Sequence, residues 1–104
     1  MIIVTTNEIP DKKVSLVKGL VQGSTVQSKH VGRDIGAGLK TLVGGEITGY
    51  SDLMKEAREI AVKRMTEEAE ALGANAIIGM RLQTSQVMNS ASEVIAYGTA
   101  VVTA

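Results

Sequence analysis

Ser51 to Gly79 reads SDLMKEAREIAVKRMTEEAEALGANAIIG, and this stretch decides the fold. Its apolar residues recur at steps of three and four, which places them along one face of an α-helix. Ser51 or Asp52 is suited to cap the first turn, and Gly73 is suited to end the helix in the left-handed conformation. We therefore predict one helix of about 21 residues, roughly 30 Å long, lying on a β-sheet. The apolar positions are Leu53, Met54, Ala57, Ile60, Ala61, Met65, Ala69 and Leu72.

Two charged residues interrupt the apolar face of this helix. At about 100° per residue, Arg64 and Glu68 fall inside the apolar arc. Because they lie four residues apart, their side chains can reach each other. One interpretation is an ion pair at the edge of the core or at a subunit contact, and the other is a pair that faces a ligand. Both residues are therefore candidate ligand-binding residues.

Apolar and β-branched runs on both sides of the helix predict strands. The second run is long and contains Gly19 and Gly23, which predict a bend, a bulge near a glycine and room for a neighbouring backbone. A polar stretch, QTSQVMNSAS, is interpreted as a connector between the last two strands. Small residues on one face of the last strand predict close contact with the helix. We place the strands at Ile2–Thr5, Lys13–Lys29, Ala76–Leu82 and Glu93–Val102.

The segment from Val31 to Tyr50 holds six of the 11 glycines. We predict a short helix over its middle, Asp34 to Val43, and a turn and packing role for the glycines. Their spacing matches neither a phosphate-binding loop nor a dinucleotide-binding loop. The complete expectation is a single α+β domain over residues 1–104, with an antiparallel β-sheet packed on one long helix and the order β-β-α-α-β-β.

Composition predicts a thin core and a partner that covers it. The 104 residues include two tyrosines, no phenylalanine and no tryptophan, so the core is built mainly from small aliphatic side chains. Since aromatic residues dominate burial where they occur and small domains are marginally stable, we expect a homo-oligomer.

Charge and cysteine content exclude several classes of function. Eleven basic and 11 acidic residues are interspersed along the chain, and the shortage of aromatic residues removes stacking platforms, so we expect no nucleic-acid partner. No apolar run approaches the length of a membrane span, and the first residues do not resemble a signal peptide. With no cysteine, the chain fits a reducing compartment, and we predict a cytoplasmic protein without a membrane partner.

Ligand chemistry has few candidate residues. His30, near Arg33 and Asp34, is the only local grouping of a histidine with an acid, and His30 and Asp34 join Arg64 and Glu68 as candidate ligand-binding residues. With one imidazole and no thiolate, a single chain has no tight soft-metal site, and we predict no cofactor. A symmetric ring would gather one His30 or Glu68 from each subunit. The hypotheses are a small-molecule or metal-binding oligomer, an enzyme with a site between subunits, and a purely structural assembly.

Three blocks of sequence resemble one family. RMxxEAxxLGANAIIG begins at Arg64, EVIAYGTAV begins at Glu93, and GLKTLVGGEITGY precedes the long helix. In this order they resemble the YbjQ-like family of small bacterial and archaeal proteins across essentially the whole chain. The resemblance implies a fold similar to the dodecin subunit and a ring-shaped homopentamer. It also carries a label of heavy-metal binding, while the family's biochemical role is unassigned.

Overall fold

The computed structural model describes residues 1–28, 46–88 and 91–104, with residues 46–50 described by their backbone. One long helix and four strands follow each other in the order β1, β2, α1, β3 and β4. The fold is therefore α+β, as predicted. The short helix predicted over residues 34–43 lies outside the described residues. The elements are β1 Ile2–Ile3, β2 Val14–Ser28, α1 Glu46–Ala71, β3 Ala76–Met88 and β4 Ala91–Thr103.

The four strands form one mixed sheet in the order β1-β3-β4-β2. β4 runs antiparallel to both β2 and β3, whereas β1 runs parallel to β3. The prediction of a wholly antiparallel sheet was wrong for this edge. β1 is only two residues long and pairs with residues more than 70 positions away, so no turn between them signals the direction of pairing.

The start of the helix differs from the sequence prediction, while its end agrees. α1 has 26 residues and begins at Glu46, so the predicted cap at Ser51 or Asp52 was wrong. A residue that can cap a helix is also tolerated within it, at a cost of a few tenths of a kcal/mol. Gly73 has φ +82°, the predicted left-handed conformation, and the amide of Ala74 donates to the carbonyl of Ala69 at 3.1 Å.

The last two strands are longer than predicted. β3 extends to Met88 and β4 begins at Ala91, so most of the predicted polar connector is strand. Every residue from Arg81 to Met88 is exposed, and an exposed strand carries polar side chains on both faces. Such a strand lacks the alternation of apolar and polar residues by which strands are recognised, and this explains the error.

The helix packs on one side of β2 and β4. The small residues on this side of β4, Val94, Ala96 and Ala100, are buried in the core as predicted, but Gly98 lies against β3. The predicted bulge is also present, because the register of β2 against β4 shifts between Val17 and Gly19. The core cluster consists of Val21, Ala57, Ala61, Met65, Ala69, Ile77, Val94, Ala96 and Ala100. Among the described residues, no helix is long and apolar enough to cross a membrane.

We predict that Gly73→Ala lowers the free energy of unfolding by about 1 kcal/mol, because alanine is strained in the left-handed conformation. The cost is conformational rather than steric, since an added Cβ meets only the Lys18 Cε atom, at 4.0 Å. Urea denaturation measures it. The reciprocal control is Ala71→Gly in the last turn of α1, which should also destabilise because alanine is preferred within a helix. A stabilised Gly73→Ala protein would contradict the assignment.

Candidate functional site

The structure describes two of the four candidate ligand-binding residues. Arg64 and Glu68 lie on α1, exposed, and both side chains reach β2. His30 and Asp34 lie outside the described residues. The ligand-binding role of all four residues stays a prediction.

Gly23 is the point at which the helix and the sheet come closest. A Cβ on Gly23 would collide with the Ala61 carbonyl oxygen and the Met65 amide nitrogen, and it would lie 2.7 Å from the Arg64 Cβ. Only glycine leaves room for the helix backbone at this place. The prediction that a glycine of this strand admits a neighbouring backbone is therefore confirmed at Gly23.

Arg64 and Glu68 bind the main chain of β2 on either side of Gly23. The Arg64 Nη1 donates to the Ser24 carbonyl oxygen at 2.7 Å, and the Glu68 Oε1 accepts from the Gln22 amide at 3.3 Å. Main-chain groups two residues apart in a strand point to the same side. Since β2 is an edge strand, the two side chains cover the middle of its free edge. We call Gln22, Gly23, Ser24, Arg64 and Glu68 the β2 clamp.

The clamp explains why two charges interrupt the apolar arc of α1. The helix face beside them is buried against the sheet, while the long side chains of Arg64 and Glu68 extend past it to the strand edge. A place at the edge of the core agrees with this geometry, although the hydrogen bonds given for both side chains go to the main chain of β2 rather than to each other. Each group uses one of its several donors or acceptors in this way, so the remaining ones are available to a ligand.

The described residues do not fit a soft-metal centre. Within the described ranges, no group of three or more histidine, cysteine, aspartate or glutamate side chains is placed to hold a metal ion. The thioethers are also poorly placed, because Met65 is fully buried in the core and Met88 is exposed on β3. The acidic helix residues Glu56, Glu59, Glu67 and Glu70 are exposed on the solvated side of α1.

Gln27 is a buried polar residue that the sequence reasoning missed. Its side chain is 4% exposed, and its Oε1 has no hydrogen-bond partner within the described part of the chain. Its Nε2 donates to the Thr25 Oγ1 at 3.3 Å. The sequence position of Gln27 could have predicted its burial, because alternate residues of a strand share a face and Gln27 follows Val21, Gly23 and Thr25 on the helix side of β2.

The other side of the sheet carries exposed apolar residues. Residues directly opposite each other in an antiparallel pair share a face, so Leu20 lies beside Thr99 and Val26 beside Glu93. Val17, Leu20 and Val26 are 61%, 69% and 57% exposed. We call this surface the open face, and it also includes the half-buried side chains of Ile78, Ile95, Tyr97 and Thr99.

A groove lies on the helix side of the sheet, next to β3. It has a volume of about 370 Å³, and its lining is mainly apolar, formed by Val62 and Leu82 with the stems of Arg58, Glu59 and Lys63. The groove exists because α1 crosses β2 and β4 and leaves β3 largely uncovered. Leu82 is consequently 42% exposed although it faces the helix layer.

Comparison with known proteins identifies the family. A family model described as "Putative heavy-metal-binding" matches residues 1–104. A UPF0145 protein of Halalkalibacterium halodurans is 66% identical over 101 residues, which cover 97% of this chain and 95% of the relative. The chain belongs to the YbjQ-like, or UPF0145, family. A UPF0145 protein of Clostridioides difficile is 60% identical over 102 residues, covering 98% of this chain and 91% of the relative.

A solved structure supports the fold of this family member. The crystal structure of a protein with unknown function from Pediococcus pentosaceus, assigned to the DUF74 family, superposes with a TM-score of 0.58. The match covers 98% of this chain and 96% of that chain, at 18% sequence identity. At this level of identity the likeness concerns the architecture alone.

We predict that Gly23→Ala is strongly destabilising, because its methyl group would overlap the helix backbone rather than a movable side chain. Overpacking of this kind costs about 1–3 kcal/mol. Denaturation in urea measures the loss, and Ser24→Ala is the matched control on the adjacent exposed residue. Equal stability of the two variants would show that α1 is not held against Gly23.

Proposed function

We propose that this protein is a homo-oligomeric module, most simply a pentamer, that binds a small molecule or a metal ion between its subunits. The pentameric number comes from the family resemblance. A cytoplasmic location is part of the proposal and is supported by the absence of cysteine. The single observation that carries the assembly is the exposure of apolar side chains on the open face.

The open face exposes three large aliphatic side chains of β2. Val17, Leu20 and Val26 are each more than half exposed, and Tyr97 and Ile95 are half-buried on the same face, opposite Gln22 and Ser24. Exposed apolar side chains on one face, with polar residues among and around them, are typical of an interaction surface. A second copy is the partner that is always present at the concentration of the first.

The shape of the chain also supports assembly. Its radius of gyration is 16.1 Å, whereas a compact chain of this length is expected near 13 Å. The principal extents of 51, 21 and 19 Å describe an elongated subunit. An elongated subunit buries less of its own surface, and contacts with neighbouring copies supply the missing burial.

Arg64 and Glu68 support a ligand site at a boundary between subunits. They are exposed at the free edge of β2 and present a fixed cation and a fixed anion four residues apart. A small polar ligand with both donors and acceptors would complement this pair. In the proposed assembly His30 and Asp34, from the same or a neighbouring subunit, complete the ligand-binding set.

Size-exclusion chromatography with light scattering tests the assembly. We expect a mass of five times the 10.9 kDa chain at micromolar concentration. Leu20→Ser, on the open face, should shift the protein towards smaller species because it removes apolar burial from the interface. Leu72→Ser is the control, since Leu72 is also exposed but follows α1 on the helix side. A monodisperse wild-type monomer would overturn the proposal.

The description of the family favours a metal ion as a second candidate ligand. Since the described residues of one chain do not converge on a soft-metal site, a tight site would take ligands from several subunits. We predict no sub-micromolar zinc or copper binding by a dissociated subunit.

Calorimetric titration of untagged, metal-free protein tests this prediction, using the assembled wild type and the Leu20→Ser variant if the latter dissociates. Tight binding to the assembly that is lost in His30→Ala would establish a shared histidine site. Tight binding to a dissociated subunit would contradict the prediction and assign the metal to carboxylate or methionine side chains of one chain.

A further inference from the structure

The two edges of the sheet are not equivalent. At the β2 edge, Arg64 and Glu68 occupy the main-chain groups of Ser24 and Gln22, so the clamp obstructs another strand at the centre of β2. At the opposite edge, β1 pairs only with Ala76 and Ile77 of β3. The free edge of β2 is thus interrupted by the clamp and by register shifts near Leu16 and Lys18, whereas β3 keeps a regular register from Arg81 to Gln86.

The N-terminal segment covers β3 only as far as Arg81. The amides of Gly79 and Met80 donate to the carbonyl oxygens of Thr6 and Val4 at 2.8 and 3.0 Å, and the Arg81 Nη1 donates to the Thr5 carbonyl at 2.8 Å. From Leu82 onwards, the outer side of β3 has no backbone partner within the described residues. The register with β4 is regular from Arg81 to Gln86, and it shifts on both sides of this stretch, between Ile78 and Arg81 and between Gln86 and Met88.

The sequence of this open edge lacks the features that prevent strand addition. Exposed edges are normally protected by lysine, by proline, by an inward charge or by a bulge. Residues 82–86 read LQTSQ, with no charge, no proline and regular pairing. All five are exposed. The stretch can therefore accept an added strand without burying a charge.

We infer that this edge is where a second copy of the chain adds its own β3, antiparallel and about a two-fold axis at Thr84. This register places Thr84 opposite Thr84 of the second copy, Gln83 opposite Ser85, and Leu82 opposite Gln86. No like charges meet, and the threonine pair is among the favourable cross-strand pairs. The shift before Met88 stays outside the paired stretch.

Pairing of β3 with the β2 edge of another copy is the competing arrangement. β2 and β3 both run antiparallel to β4, so a sheet that continued sideways from β3 to the next β2 would pair them in parallel. Parallel pairing is slightly weaker per residue, and the clamp would interrupt it at residues 22–24. The two-fold arrangement avoids both penalties.

This contact goes beyond the proposed ring, because it needs a two-fold axis and uses a different surface from the open face. If the two-fold contact joins two five-fold rings, the assembly contains ten chains. If there is no ring, the contact produces a dimer. It also joins the two copies of the Val62–Leu82 groove across one continuous sheet, since Leu82, Thr84 and Gln86 face the helix layer.

Cysteine cross-linking tests the register directly, because the natural sequence has no cysteine. Residues opposite each other in an antiparallel pair have Cα atoms about 5 Å apart, which suits a disulfide. Thr84→Cys should therefore form covalent dimers under mild oxidation. Gln86→Cys is the register control, because its copies would lie about 13 Å apart. Lys55→Cys, exposed on α1, is the control for random collision.

Each result decides the inference. Disulfide-linked dimerisation of Thr84→Cys at least tenfold faster than that of either control supports the two-fold register. Loss of the two-fold association in a Thr84→Lys protein, measured by light scattering, also supports it, provided that circular dichroism shows the variant to be folded. Equal cross-linking of all three variants overturns it as collision. If Thr84→Cys forms no disulfide-linked dimers while light scattering shows the protein to be a pentamer, the two-fold contact is overturned and the proposed ring is retained.

Discussion

The contact of Gly23 with the backbone of α1 fixes the distance between helix and sheet. Ala61 and Met65 approach the strand so closely that a single methyl group would overlap them. A small separation favours small side chains, and five of the nine residues in the core cluster are alanines, Ala57, Ala61, Ala69, Ala96 and Ala100. The shortage of large aromatic residues agrees with this close packing.

The same contact determines what the helix leaves uncovered. Because α1 is held over β2 and β4, the outer half of β3 extends beyond the helix layer, and all its side chains from Arg81 to Met88 are exposed. The clamp adds a further asymmetry, since it covers the middle of the β2 edge, whereas the outer edge of β3 beyond Arg81 has no backbone partner among the described residues. A tight two-layer core thus leaves an open face and an open edge on the subunit, and these are the two surfaces used in the proposed assembly.

The sequence predicts those parts of the fold that depend on local patterns. The period of Leu53, Ala57, Ala61 and Met65 identifies the helix, and Gly73 marks its end, because both depend on neighbouring residues. The direction of β1 and the partners of Arg64 and Glu68 depend on contacts distant in sequence, and no local pattern encodes them. The wrong helix start and the missed half of β3 have another cause, since polar residues suited to caps and loops also occur in exposed helices and strands.

Placing any ligand site between subunits has a thermodynamic consequence. A ligand that binds only the assembled form stabilises that form by mass action, and assembly must raise the affinity for the ligand by the same coupling free energy. The described part of one chain offers the exposed charges of Arg64 and Glu68, each hydrogen-bonded to the main chain of β2, but no convergent set of metal donors. Measuring ligand affinity at several protein concentrations therefore distinguishes a site within one chain from a site shared between subunits. A site within one chain binds equally well at any dilution, whereas a shared site weakens as the oligomer dissociates.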